Sequence, residues 1–148
     1  MTRSFWLAGV LASLVLTLTA HASAQQVQPR GGDAAIGGYD VVAYFTDGRA
    51  IRGDAAHAHT HEGVRWLFAS EAHRAAFAAS PARYLPAYGG YCAYAMADDR
   101  LAPIDPRAFT VVDGKLYLNY SIDIRTRWLA DRDAYIRRAD ANWARRSH

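Results

Sequence analysis

The sequence predicts an α+β fold, a small single domain with two β-hairpins and several short helices. Glu62-Gly63 and Asp113-Gly114 each separate two short runs of β-branched and aromatic residues, which is the pattern of a two-residue hairpin turn. Outside these hairpins, apolar residues recur at helical spacing. Because strands and helices are grouped in this way and do not alternate as βαβ units, we expect antiparallel hairpins with separate helices.

The first hairpin is predicted to pair residues 57–61 with residues 64–68. A helix from Glu71 to about Ala79 should follow, because Ser70 is a good N-cap residue. Ser80-Pro81 is expected to end this helix, since proline disrupts a helix interior.

The second hairpin is predicted to pair residues 109–112 with residues 115–120. Ser121 is expected to cap a helix that ends near Ala130, and a last helix should cover residues 131–145. No internal repeat is apparent in the sequence.

Two further segments precede the hairpins. Gly37-Gly38 leads into Tyr39–Phe45, an apolar segment rich in β-forming residues, in which we expect Asp40 to cap or orient the backbone. The segment Tyr88–Met96 begins with a glycine pair that allows close backbone approach, and a short helix is expected after it.

The first 24 residues have the features of a cleavable signal peptide. Arg3 precedes an uncharged apolar run over residues 5–20, and Ala22 and Ala24 supply the small residues that a signal peptidase accepts. An uncleaved membrane anchor is the alternative, but a spanning helix needs about 20 apolar residues. We predict a signal peptide over 1–24, a flexible leader over 25–35, a domain over 36–146, no membrane span after cleavage, and a periplasmic or secreted location.

The charge balance does not favour nucleic acid as a partner. The chain has 17 basic and 14 acidic residues, a formal net charge of +3. Nucleic-acid binding requires basic residues clustered on one face. The basic pairs Arg137-Arg138 and Arg145-Arg146 lie on the predicted last helix, where a solvated helix face explains them. The sequence does not determine the oligomeric state.

Several motifs together resemble the YHS domain family in its exported bacterial form. The specific ones are Tyr88-Gly89-Gly90-Tyr91-Cys92-Ala93 and Asp113-Gly114-Lys115-Leu116-Tyr117-Leu118-Asn119. The segments 38–45, 66–70 and 80–84 extend the similarity over nearly the whole predicted domain. YHS domains are related to TRASH-type metal-binding domains, so the resemblance implies metal-ion binding, with copper favoured over zinc.

The resemblance also shows where this chain departs from the metal-binding pattern. Metallated relatives place one Cys at the end of the second strand and another about one helical turn later. Ala69 and His73 stand at those positions here, and Val42 stands near the position of an upstream Cys. Because the chain has a single cysteine, a closed Cys₄ or Cys₃His zinc site is excluded.

The first candidate metal site is the alternating run His57, His59 and His61. Alternate side chains of a strand point to the same face, so these imidazoles would form a row that suits Cu(II), Zn or Ni. His73 would complete the cluster if its helix packs over the hairpin. The alternative is an exposed polar strand face without a ligand.

The second candidate combines Cys92 and Met96, which are spaced i, i+4. On a helix their sulfur atoms would share a face, and thiolate with thioether is a donor set that selects Cu(I). The alternative is that both residues fill the core, because Met and Cys pack readily into irregular gaps. A lone thiol has no intramolecular disulfide partner.

Two functional hypotheses follow from the sequence. The first is a non-enzymatic protein that binds or handles a metal ion, with copper favoured. The second is a metal-free module that binds a small ligand or a protein through the Tyr/Gly-rich segment 88–94. Enzymatic activity is the less favoured hypothesis, because the sequence contains no nucleophile-elbow, phosphate-loop or His-Glu-x-x-His motif.

Overall fold

The computed structural model describes residues 33–146, which form a small α+β domain with two separate antiparallel hairpins, as predicted. The predicted signal peptide, residues 1–24, and residues 25–32 of the predicted leader lie outside the described residues. The elements, in chain order, are α1 Ala43–Thr46, β1 Asp54–His61, β2 Val64–Phe68, α2 Glu71–Ala79, α3 Ala93–Met96, β3 Asp105–Val112, β4 Lys115–Asn119, α4 Ile122–Ala130 and α5 Arg132–Arg146.

Both predicted hairpin turns are confirmed. In the first turn Glu62 and Gly63 have φ values of 48° and 79°, and in the second Asp113 and Gly114 have φ values of 50° and 73°. Two consecutive residues in the left-handed region match the twist of the flanking strands. The turns therefore set the register, with His61 paired to Val64 and Val112 paired to Lys115.

The predicted N-caps are also confirmed. The hydroxyl of Ser70 accepts a hydrogen bond from the backbone N–H of His73 at 3.1 Å, and Ser121 accepts one from Ile124 at 3.2 Å. Each bond satisfies one of the first N–H groups of its helix, which have no partner inside the helix. These bonds fix where α2 and α4 begin.

The segment Tyr39–Phe45 is not a strand, although its composition favours one. It ends in α1, because the Asp40 carboxylate accepts hydrogen bonds from the backbone N–H groups of Val42 at 2.9 Å and Ala43 at 3.2 Å. Asp40 therefore orients the backbone, as expected, and a local side-chain bond outweighs β-propensity here.

Both long strands begin earlier than predicted, and each contains a bulge. The register shifts between Asp54 and Ala58 in β1 and between Asp105 and Phe109 in β3. Asp54 and Asp105 each accept a hydrogen bond from the backbone N–H two residues later. Pro106 is tolerated in β3 because it lies in this bulged part.

The structure contains an internal repeat, of which the sequence shows only short matching segments such as Gly37-Gly38-Tyr39 and Gly89-Gly90-Tyr91. Ile36-Gly37-Gly38 and Tyr88-Gly89-Gly90 have matching left-handed backbones, with φ values of 52°, 59° and 80° against 56°, 58° and 81°. Each is followed by a short helix, a bulged hairpin, a serine cap and a longer helix. The repeated features are backbone conformations, so the expectation of no repeat is corrected.

The interior consists of two apolar clusters with β4 between them. Leu116 and Leu118 belong to the cluster that contains Trp66 and Phe77, whereas a second cluster surrounds Trp128 and includes Tyr117, Met96 and Ala139. Because successive strand residues point to opposite faces, β4 is buried on both sides. None of the helices described between residues 33 and 146 combines the length and the apolar character needed to cross a membrane.

Gly53→Ala is expected to destabilise the fold by about 3 kcal/mol, the upper part of the range for overpacking. A Cβ atom at position 53 would lie 2.4 Å from the backbone carbonyl carbon of Leu67, so β2 itself would have to move. Urea unfolding of Gly48→Ala is the comparison, because no atom lies within 4 Å of that Cβ, so its loss comes from the left-handed backbone (φ 63°) alone and should be about 1–2 kcal/mol. Equal losses of unfolding free energy in the two variants would contradict the steric explanation.

Candidate functional site

The two sulfur ligands predicted from sequence lie in the protein interior. Cys92 is 1% exposed and Met96 is 0% exposed. They are one helical turn apart, but Cys92 belongs to the cluster around Trp66 and Met96 to the cluster around Trp128. The Cys92 thiol lies 3.6 Å from the side-chain oxygen of Asn119, to which it donates. Neither sulfur is open to an ion from solvent, and both occupy positions of packing residues.

The three histidines of β1 lie on a face of the hairpin that packs against α2. The rings of His59 and His61 contact the Phe77 ring edge-on, with centroid distances of 5.9 Å and 5.8 Å. His57 Nδ1 lies 3.7 Å from a carboxylate oxygen of Glu71. The row of imidazoles therefore contacts α2, and within the described residues it forms no group of three or more His, Cys, Asp or Glu side chains that could hold an ion.

His73 is a predicted donor that the structure places beside a buried carboxylate. Its Nδ1 lies 2.6 Å from Oδ2 of Asp40, and the Asp40 side chain has no exposed surface. Oδ2 also accepts from the backbone N–H of Ala69 at 2.8 Å. An ionised carboxylate can only accept hydrogen bonds, so Nδ1 of His73 is the donor in this contact.

The other ring nitrogen of His73 faces two side-chain oxygen atoms. Nε2 lies 3.3 Å from the hydroxyl oxygen of Thr46 and 3.6 Å from Oδ2 of Asp47. The Thr46 hydroxyl in turn donates to the same Asp47 oxygen at 2.7 Å. The side chains of His73 and Asp47 are 21% and 37% exposed, so this group is open to solvent.

The distances from Nε2 to the Thr46 and Asp47 oxygens, 3.3 Å and 3.6 Å, are close to the separation of neighbouring ligands in a metal site, whereas the 2.7 Å between Thr46 and Asp47 is a hydrogen-bond distance. Bonds of about 2.0–2.2 Å in a tetrahedral site place neighbouring donors about 3.3 Å apart. Imidazole nitrogen suits copper and zinc. Nowhere within residues 33–146 do three or more His, Cys, Asp or Glu side chains form a group that could hold a metal ion. Around Nε2 the structure brings together two such side chains, His73 and Asp47, with the Thr46 hydroxyl beside them.

The repeat shows that this polar arrangement is specific to the first half of the chain. Asp40 and Cys92 occupy equivalent places, because each donates its backbone N–H to the loop before the next hairpin, to Ile51 at 2.8 Å and to Ala102 at 3.0 Å. His73 corresponds to Ile124, since both donate to their capping serine. The first half of the chain thus has a buried carboxylate and an imidazole where the second half has a thiol and an alkyl side chain.

Sequence reasoning identified His73 but missed its partners. The sequence predicts only a backbone-orienting role for Asp40, and Asp47 precedes Gly48 in a dipeptide that is typical of a turn. Thr46 was not singled out. These residues lie far from His73 along the chain, so local sequence patterns could not predict that they would surround its ring.

The Tyr/Gly-rich segment 88–94 is largely buried, and Tyr88 is its link to α5. The Tyr88 hydroxyl donates to the Asp140 carboxylate at 2.8 Å. Burial, and then this carboxylate, raise the pKa of Tyr88 well above its ordinary value. Tyr88 thus stays a neutral donor at physiological pH, and it lines a cleft beside Trp143.

Comparison with protein families, with characterised proteins and with solved structures finds no match to this chain. The resemblance to YHS domains therefore stays a prediction from the motifs themselves.

Proposed function

We propose that this protein binds a metal ion without enzymatic activity, with Cu(II) favoured over Zn(II), at a site centred on Nε2 of His73. One observation carries the proposal. The buried Asp40 carboxylate holds Nδ1 of His73 at 2.6 Å, while Nε2 lies 3.6 Å from the Asp47 carboxylate.

Asp40 has the role of an outer-shell partner in this proposal. Histidines that ligate metals commonly donate their second ring N–H to a carboxylate, which fixes the ring and raises its basicity. Asp40 is itself held by three backbone N–H groups, from Val42, Ala43 and Ala69. The ring is therefore oriented before an ion binds.

The available donors favour the oxidised form of copper. Thiolate and thioether ligands select Cu(I), whereas imidazole and oxygen ligands suit Cu(II), which also binds such sites more tightly than Zn(II). Cys92 and Met96 are buried. An exported location, which residues 1–24 predict, would also place the site in an oxidising compartment.

A site with open coordination positions suits buffering or transfer of an ion better than permanent storage. His73 and Asp47 supply one nitrogen and one carboxylate, and solvent or a partner protein would complete the coordination. This role agrees with the metal-ion binding that the family resemblance implies.

A hydroxyl nucleophile at Thr46 is the competing interpretation of the same geometry. Asp40, His73 and Thr46 have the connectivity of a carboxylate–imidazole–hydroxyl triad. The Thr46 hydroxyl, however, lies 2.7 Å from Asp47 and 3.3 Å from Nε2. Its proton is directed to the carboxylate and not to the imidazole, so we favour the metal site.

His73→Ala is expected to weaken Cu(II) binding by at least tenfold, because it removes the nitrogen ligand. Tag-free protein is titrated with Cu(II) by calorimetry, and electron paramagnetic resonance tests for coupling to one imidazole nitrogen. The control replaces His57, His59 and His61 with alanine together and should bind as the natural protein does. Loss of binding in the control and not in His73→Ala would overturn the assignment.

Asp40→Asn tests the contribution of Asp40 to Cu(II) binding while the His73 imidazole is kept. An amide at position 40 can donate to Nδ1, which shifts the ring proton to Nε2 and removes the lone pair offered to the ion. We expect about 10–100-fold weaker Cu(II) binding, as for other outer-shell partners. Unchanged affinity in this variant would show that Asp40 has only a structural role.

A further inference from the structure

A cleft lies between the segment before α3 and the last helix, on residues that the proposed metal site does not use. Its volume is about 400 Å³, within the range of about 300–1,000 Å³ for small-molecule sites. Its lining includes Leu85, Pro86, Tyr88, Lys115, Asp140 and Trp143. The cleft thus combines an apolar aromatic wall with one cation and one carboxylate.

The aromatic wall is held in place before any ligand binds. The Trp143 ring packs edge-on against Tyr88 at 6.3 Å and lies 6.4 Å from the Tyr91 ring. Tyr88 is fixed at its other end by the hydrogen bond to Oδ1 of Asp140. A planar ring that enters the cleft therefore meets a preformed surface.

Lys115 is the cation of this cleft and the only lysine in the chain. It makes no ion pair with any side chain between residues 33 and 146. An ammonium group that no side chain of residues 33–146 pairs with, at the edge of an apolar cleft, is suited to a ligand carboxylate.

A second cleft, of about 500 Å³, shares Lys115 with the first. Its charged lining consists of the cations Lys115, Arg132 and Arg137 and the carboxylates Asp113 and Asp133. Arg132 is paired with Asp133 at 3.0 Å, whereas Arg137 has no ion pair with the described residues. Three cations face two carboxylates in this second cleft, so its lining has a net positive charge beside Lys115.

We propose that the cleft binds a small planar aromatic carboxylate. The carboxylate would pair with the Lys115 ammonium, and the ring would pack against Trp143. Oδ1 of Asp140 is occupied by Tyr88, and Oδ2 can accept a hydrogen bond from a ring hydroxyl of the ligand. 4-Hydroxybenzoate has all three features and serves as the probe.

The single lysine gives this proposal a specific readout. Protein labelled with ¹³C,¹⁵N-lysine has one side-chain signal, from Lys115, which is followed by NMR during titration in the presence of a chelator. We expect a saturable shift with 4-hydroxybenzoate, and at least tenfold weaker binding of 4-hydroxybenzamide, which lacks the charge. No shift up to about 10 mM probe, or equal binding of the amide, would overturn the proposal.

Variants locate the ligand in the cleft. Lys115→Met and Trp143→Leu should each weaken binding at least tenfold by saturation-transfer NMR. The matched control is Arg127→Met, which also removes one positive charge but lies on α4, outside both clefts. If Arg127→Met weakens binding as much as Lys115→Met, the attraction is non-specific and the site is rejected. Because the two sites share no residue, this result leaves the metal proposal unaffected.

Discussion

Asp40→Ala is expected to lower the free energy of unfolding by about 3–5 kcal/mol, measured by urea denaturation at pH 7. The carboxylate is fully buried and accepts hydrogen bonds from Val42, Ala43, Ala69 and His73. Alanine leaves these donors without a partner, and each unsatisfied buried donor costs about 1–3 kcal/mol. The start of α1 and the end of β2 should loosen together.

Asp47→Ala is the matched control for this loss. Asp47 also lies beside His73, but its side chain is 37% exposed, and exposed ion pairs contribute about 0–1 kcal/mol. A double-mutant cycle of Asp40→Ala with His73→Ala measures how much of the lost unfolding free energy comes from the contact between Asp40 and the imidazole. If Asp40→Ala and Asp47→Ala cost the same, Asp40 does not hold the backbone as its hydrogen bonds indicate.

Phe77→Ala is expected to have a comparable effect, about 3–5 kcal/mol in thermal or denaturant unfolding, because it opens a cavity in the core. The Phe77 ring is fully buried and lies 5.1 Å from the Trp66 ring and 5.2 Å from the Phe68 ring. It is the contact through which α2 packs on the first hairpin. The near-ultraviolet circular dichroism of Trp66 should change in the same variant.

Two companion variants test whether burial is the cause. Phe45→Ala removes a half-buried ring that contacts Tyr84 at 5.5 Å, and it should cost less than Phe77→Ala. Phe77→Leu keeps most of the volume and should recover most of the stability. A Phe77→Leu variant as unstable as Phe77→Ala would mean that the ring contacts, and not the filled volume, hold α2 in place.

The position of His73 connects these stability effects to the proposed site. α2 carries His73, Phe77 anchors α2 on the hairpin, and Asp40 joins the α2 imidazole to the backbone before α1. Phe77→Leu should therefore leave Cu(II) affinity nearly unchanged, whereas Asp40→Asn should lower it. The two variants separate packing from ring orientation.

The elements that the sequence predicted correctly depend on atoms close together in the chain. The Asp113-Gly114 turn needs only two residues that tolerate left-handed backbone, and the Ser70 cap needs only a hydroxyl three residues before an N–H. Such interactions are local, so residue type and spacing predict both hairpins and the helices α2 and α4.

The extent of the internal repeat required the tertiary structure, because the two halves share few side chains. Gly37-Gly38-Tyr39 recurs as Gly89-Gly90-Tyr91, but Asp40 corresponds to Cys92. Pairs as different as Asp40 and Cys92 limit the sequence similarity to short segments. Likewise, the composition of Tyr39–Phe45 favours a strand, and only the hydrogen bonds of Asp40 explain the helix that forms.

The sequence by itself determined the α+β class, the hairpin registers next to the two turns, and the presence of imidazole and sulfur donors. Only the tertiary structure decided which donors are usable, because burial and long-range contacts are not local properties. The spacing of Cys92 and Met96 places them one turn apart but cannot show that both are buried. His73 has two partners that are distant in the sequence. Asp40 lies 33 positions away and Thr46 lies 27 positions away, and folding alone brings them to the His73 ring.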